Sequence, residues 1–436
     1  MKYKWIVALA VIVVLALLVG AFSGFFGQNF NLRLLNGKPT VTITYPSNGA
    51  TIARLVMISG TASDPDKEDN ISSVEVKIGE NDWVTATGTT LWSYDWTTYT
   101  SQNGMYTIST RSYDGKDYSE IKSITLTVYN PTSIDSGSHK WAIFIAAANF
   151  PEENDTKLGN GGLYLAEDMA AYLIEHNQYP TSNIMILFDD GWIRSDNGYG
   201  TKQKTLQEQS HEYDMTYGSS TKKNVLTSLQ YIITESNKYP DSEVFLWIFN
   251  HGAGNKNQPL TGGKILQSSE IFFWDDTVTD KELGDIIAPL ESTKVAIIVD
   301  ACYAGGFADR TIFNLRTSLL FRSGIPHDGR IVISSTSKFR TGYASTTQGP
   351  IFSLLWFEGL SSGKADGFRP GLFDRGVPRN LKMFQDGKVS VEEAFYYARY
   401  QLRTDEKYQD FKSMEPQIND EYPHRGVLRN RGELIL

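Results

Sequence analysis

Lys294-Val295-Ala296-Ile297-Ile298-Val299-Asp300-Ala301-Cys302-Tyr303-Ala304-Gly305-Gly306 is the stretch from which the rest of the chain can be read. After Lys294 come five apolar residues with no alternation. A strand with one wet face alternates polar and apolar residues, whereas a strand buried on both faces does not. The same signature recurs at Trp141–Ala148, Ile184–Phe188, Val244–Phe249 and Arg330–Ser334. Helical spacing fills the intervals: Leu163–His176, Lys222–Glu235 behind a Thr221 cap, Asp280–Leu290, Ile351–Leu360 and Val391–Thr404. Buried strands alternating with helices predict an α/β domain over residues 140–436, its mostly parallel sheet flanked by helices on both faces. Ligands of such sheets sit beyond the carboxyl ends of the strands. Asn197–Tyr217 is polar and weakly patterned and reads as a surface loop. The tail from Lys407 onward reads as irregular.

Two strand ends carry chemistry. Val244–Phe249 runs into Asn250-His251-Gly252, and the quoted stretch runs into Asp300-Ala301-Cys302. Cys302 is the chain's one cysteine, so it makes no internal disulfide and is either a buried, inert residue or a reactive one. A thiol nucleophile needs a base within hydrogen-bond reach, and imidazole is the usual one. Neighbouring strand ends supply both without sequence adjacency. Gly252 lets the backbone after the histidine approach a substrate carbonyl closely. Its amide and that of Cys302 would then form an oxyanion hole. This chemistry calls for no cofactor and no metal. Asp386–Glu393 looks like half of a calcium-binding EF-hand loop, but the first ligand positions would be Lys382 and Phe384, which cannot hold Ca²⁺. The better reading is a helix start, with Ser390 as N-cap and Glu393 closing a capping box. The acidic run Asp64–Asn70 offers oxygen ligands and reads equally well as a solvated turn.

Residues 1–30 form a targeting segment. Lys2 and Lys4 precede an uncharged stretch from Trp5 to Gly27, long enough for a spanning helix or a signal peptide. The lysines favour the N-terminus inside, which leaves the rest of the chain extracytoplasmic, anchored to the cell membrane or, after cleavage, secreted. Residues 38–130 show short alternating runs with turn punctuation, the pattern of an all-β immunoglobulin-like sandwich. Such a module spaces or docks an enzyme and can touch cell-surface material. Residues 131–139 are a polar linker. The net charge of −9 and the lack of any Lys/Arg run exclude a nucleic-acid partner. With 41% hydrophobic and 21% charged residues, a largely disordered chain is excluded as well.

From Lys140 to about Leu360 the chain resembles the legumain-like cysteine peptidases, relatives of the caspases that include the catalytic subunit of GPI transamidase. Trp141–Ala146 and Asn183–Asp190 resemble the family's first two strands, Glu243–Gly252 its histidine block and Lys294–Gly306 its cysteine block. The module before it resembles bacterial and archaeal Ig-like domains. The resemblance implies a multidomain chain: an N-terminal apolar anchor helix, an Ig-like sandwich and a caspase-like α/β domain. It further implies a cysteine endopeptidase acting on a protein or peptide through a thioacyl-enzyme, with Cys302 as nucleophile and His251 as base. Asn160 would orient His251, with Asn149 as its rival. Of the family's pocket charges only Asp300 is present, because Gly162 and Pro350 occupy the other two positions. That pattern looks more like the metacaspases and favours Arg or Lys at P1 over Asn. The family's aspartate before the histidine is here Asn250, so the resemblance does not extend to side chemistry of that carboxylate. Ser335, after strand Arg330–Ser334, falls where this clan pairs with the substrate backbone. Two alternatives stay open: a transamidase using the same acyl-enzyme, and a surface-binding protein with an inactive peptidase domain.

Overall fold

The computed structural model describes residues 36–66, 70–130, 138–147, 157–254, 268–316, 322–372, 376–423 and 432–436. The N-terminal apolar segment, most of the 131–139 linker and Asn149 lie outside them. Among the described residues no helix is long and apolar enough to cross a membrane.

Residues 40–128 form two sheets. One has the order Thr40–Tyr45, Leu55–Ser63, Leu91–Thr97, Thr87–Gly88. The other runs Thr51–Ile52, Lys122–Val128, Gly104–Tyr113, Ser73–Ile78, Val84–Thr85. The period-2 pattern is met in Ser73–Ile78, where every second residue is buried. By compactness the described residues fall into two units, one within 36–42, 61–92 and 109–123, the other within 43–60, 93–108 and 124–436. Within the second unit, Tyr99 stacks on Tyr231 with ring centroids 4.3 Å apart. The Trp192 indole donates to Ser93 Oγ at 3.2 Å. Half-buried Asp95 accepts from Ser219 Oγ at 2.5 Å and Asn224 Nδ2 at 2.9 Å.

The α/β part is built on seven strands: β1 (Lys140–Ala146), β2 (Ile184–Phe188), β3 (Thr216–Gly218), β4 (Glu243–Phe249), β5 (Lys294–Asp300), β6 (Arg330–Ser334) and β7 (Gln417–Asp420). Their order is β3-β2-β1-β4-β5-β6-β7. The first six are parallel and β7 is antiparallel to β6. The apolar runs are buried on both faces, as their lack of alternation requires. Helices α1 (Gly161–Asn177), α4 (Ile351–Ser361) and α5 (Val391–Thr404) cover one face, and α2 (Lys222–Ser236) and α3 (Asp280–Ile287) the other.

Two expectations are corrected here. Asn197–Tyr217 is not wholly a surface loop: it ends in β3, an edge strand of the sheet, with Thr216 and Tyr217 buried. The tail is not irregular throughout, because β7 closes the opposite edge. Both strands are only three or four residues long, too short to show a period. The α5 capping box is present as expected, with Ser390 Oγ accepting the Glu393 amide and Glu393 Oε2 accepting the Ser390 amide. Thr221 precedes α2 but makes no side-chain cap bond.

Candidate active site

Strands β4 and β5 run side by side with Phe249 opposite Asp300. The Asn250 amide donates to the Asp300 carbonyl at 3.3 Å, so the pairing continues past the strand ends. His251 and Cys302 each follow two residues after this last strand pair. Both line one cleft of about 400 Å³, together with Lys157, Leu158, Phe249, Asn250, Asp300, Ala301, Thr341–Ala344 and Thr346. A three-stranded hairpin holds the histidine segment. Gly252–Ala253 pairs with Glu270–Phe272, which pairs with Thr277–Thr279. The Phe272 amide donates to the His251 carbonyl at 3.0 Å.

The thiol of Cys302 is partly buried, and burial pushes its pKa above the ordinary thiol value. The nearby Asp300 carboxylate pushes in the same direction. Backbone amides of Gly342, Gly252 and Cys302 itself pull the other way by donating toward the sulfur. The Gly342 amide lies 3.3 Å from Sγ. A neutral thiol surrounded by N–H donors has somewhere to place negative charge once it reacts, but it needs a base to lose its proton.

Asp300 is buried beneath the cleft. Its Oδ2 accepts both the amide (3.0 Å) and the hydroxyl (2.7 Å) of Ser353, in the first turn of α4. Burial raises its pKa to about 6 despite these bonds. Gly162 and Pro350 are both buried, and a Cβ on Gly162 would lie 2.6 Å from the Phe249 ring. Asp300 is therefore the one carboxylate among the described residues lining the cleft.

Two sequence-designated residues stand elsewhere. Ser335 is fully buried, its hydroxyl donating to the Ala301 carbonyl at 3.5 Å, so it props the cleft floor and presents no side chain to a substrate. Asn160 lies just before α1, buried, with its amide donating to the Arg194 carbonyl at 3.1 Å. Neither is among the described residues that line the cleft.

The sequence reading missed the Thr341–Ala344 wall and Ser353. The wall follows the carboxyl end of β6, the right kind of place, but several residues beyond the serine cluster that drew attention. Its Tyr343 ring packs against Phe411 of the tail at 5.1 Å, a contact no local pattern encodes. Ser353 could have been found as a lone hydroxyl inside the apolar run Ile351-Phe352-Ser353-Leu354-Leu355.

Residues 39–109 match the family described as bacterial Ig domain, which suggests an extracellular or surface protein. No curated protein sequence matches the chain. Among solved structures it is similar to caspase-1 from Spodoptera frugiperda, at 12% identity over 65% of this chain and 86% of that one, with a TM-score of 0.36. It is also similar to the endo-beta-1,4-mannanase from Thermotoga petrophila, at 16% identity over 26% of this chain and a TM-score of 0.19; it spans only 23% of that enzyme. The fibronectin(III)-like modules of Clostridium thermocellum CbhA match at 19% identity over 21% of this chain and 100% of theirs, with a TM-score of 0.18.

Proposed function

We propose that the chain is an exported cysteine endopeptidase, held at the membrane by residues 1–30, that cleaves after basic residues. The observation that carries this reading is that His251 and Cys302, each two residues past the end of one of two adjacent strands, line the same cleft together with Asp300. Cys302 Sγ attacks the scissile carbonyl carbon while its proton passes to His251. The C–N bond breaks, His251 returns that proton to the leaving amine, and a thioester remains on Cys302. Water then attacks the thioester with His251 as base. The carboxylic acid leaves and Sγ regains its proton. The Gly252 and Cys302 amides hold the oxyanion in both halves. The Asp300 carboxylate pairs with an Arg or Lys side chain at P1.

A positional-scanning P1 library tests this, on the full chain beside a Cys302→Ala control. Cleavage after Arg and Lys, absent in the control, is expected. Cleavage after Asn would overturn the pocket assignment, and product that changes when an amine nucleophile is added would favour a transamidase. Gly252→Ala supplies a second check. Its Cβ would lie 2.1 Å from the Cys302 carbonyl oxygen and 3.0 Å from Ala301 Cβ, so the histidine segment must move. The oxyanion donor moves with it, and kcat is expected to fall about 10²–10³-fold in steady-state kinetics.

A further inference from the structure

The turn that carries the nucleophile is bent into an uncommon shape. Tyr303, directly after Cys302, is left-handed (φ 57°, ψ 25°), a conformation that costs a bulky residue and persists only where its surroundings enforce it. Two buried hydroxyls enforce it here. Thr336 Oγ1 donates to the Ala301 carbonyl at 2.8 Å and accepts the Ala304 amide at 2.9 Å. Ser269 Oγ donates to the Tyr303 carbonyl at 2.5 Å and accepts the Gly306 amide at 3.0 Å. Each hydroxyl uses its single proton on a carbonyl and a lone pair on an amide three residues further along. One bridges 301 to 304, the other 303 to 306, and Cys302 lies within the first span.

The second bridge is itself anchored. The Ser269 amide donates to Asp280 Oδ2 at 2.9 Å, and the Asp280 amide donates to the Ser269 carbonyl at 2.8 Å. Asp280 is buried, and the buried ammonium of Lys338 attracts both it and Asp309. The turn packs tightly on this group. A Cβ on Gly305 would meet the Lys338 amide nitrogen at 2.5 Å, and one on Gly306 would meet Asp280 Oδ2 at 2.2 Å.

We infer that Thr336 and Ser269 are positioning residues: paired hydroxyl bridges that hold the Cys302 turn so that the thiol and its own amide face the cleft. This rests on the peptidase reading for its kinetic consequence but not for its structural one. In a peptidase, a displacement of the nucleophile by about 1 Å costs on the order of 10²-fold in rate. Neither hydroxyl is among the cleft-lining residues, so substrate affinity has no reason to change.

The test compares Ser269→Ala, Thr336→Val and Thr336→Ser with the full wild-type chain. Active sites are titrated with a thiol-directed peptidyl inhibitor, and hydrogen exchange of the 301–306 segment is followed by mass spectrometry. For Ser269→Ala and Thr336→Val, kcat per titrated site is expected to fall about ten- to a hundredfold with KM within about threefold. Exchange of the Ala304 and Gly306 amides is expected to quicken tenfold or more, with the rest of the chain unchanged. Thr336→Ser keeps the hydroxyl and is expected to restore both. Unchanged kcat per titrated site, or a loss confined to the fraction of active protein, would overturn the inference. If the wild type hydrolyses nothing, the peptidase reading fails and the exchange experiment alone decides: quickened amides support the bridges, and unaltered amides overturn them.

Discussion

Cys302→Ala is expected to lower peptide hydrolysis by roughly 10⁴–10⁶-fold, and His251→Ala by nearly as much, with the double variant no worse than the worse single. The reason lies in the state of the thiol. Burial and the Asp300 charge push the thiol pKa up, so in the proposed mechanism Cys302 depends on His251 to take its proton. In that mechanism, removing His251 removes the base that takes the proton, and the nucleophile is as good as absent. Had the thiol been strongly acidic, losing the histidine would leave an active sulfur and a mild phenotype. Alkylation of His251→Ala by a small reagent is therefore expected to be slow at neutral pH and to climb as pH rises beyond the ordinary thiol range. Steady-state kinetics on the three variants and a pH–alkylation profile check both halves.

Asp300→Asn is expected to remove the preference for Arg and Lys at P1, lowering kcat/KM for those substrates about 10²–10³-fold and leaving small neutral P1 residues little affected. A pH signature accompanies it. Burial raises the carboxyl pKa to about 6, so the wild-type ratio of kcat/KM on basic over neutral P1 substrates should fall about tenfold per pH unit below that point, and in the Asn variant this ratio should not change with pH. The effect on stability has the opposite sense. A carboxyl whose folded pKa lies above its ordinary 3.8 costs stability when it ionises, a loss that develops as pH rises from about 4 to about 6 and persists above. Asparagine keeps an acceptor for the Ser353 amide and carries no buried charge. The variant is therefore expected to melt no lower than wild type at pH 7.

The parts of this fold that sequence made legible are those where burial leaves a long signature. Val244–Phe249 and Lys294–Val299 could only be strands covered on both faces, and the residues after them fell at the cleft because parallel strands end together. The α5 capping box was legible because its two bonds join residues three apart. What stayed hidden depends on distant partners. β7 reads as strand only because β6 lies beside it, and the Thr341–Ala344 wall stands where Phe411 meets Tyr343. Ser335 drew attention by following a strand end, yet it is fully buried and its hydroxyl turns inward to the Ala301 carbonyl. The placement of Asn160 turned on the loop before α1, where counting along the chain says nothing of direction. Its amide meets the Arg194 carbonyl. Thr336 and Ser269 lie on segments distant in sequence from the nucleophile, and only the fold brings them beneath it.

Because the chain has a single cysteine, one labelling experiment addresses the central claim directly. The native full chain would be treated with a peptidyl acyloxymethyl ketone bearing arginine at P1, and the adduct followed by intact mass and peptide mapping. The expected result is one adduct on Cys302, formed much faster than with the asparagine analogue and slowed strongly by His251→Ala. A Cys302 that reacts only after denaturation, or that takes both analogues and a simple alkylating reagent at one indifferent rate with or without His251, would contradict an active site at these two strand ends.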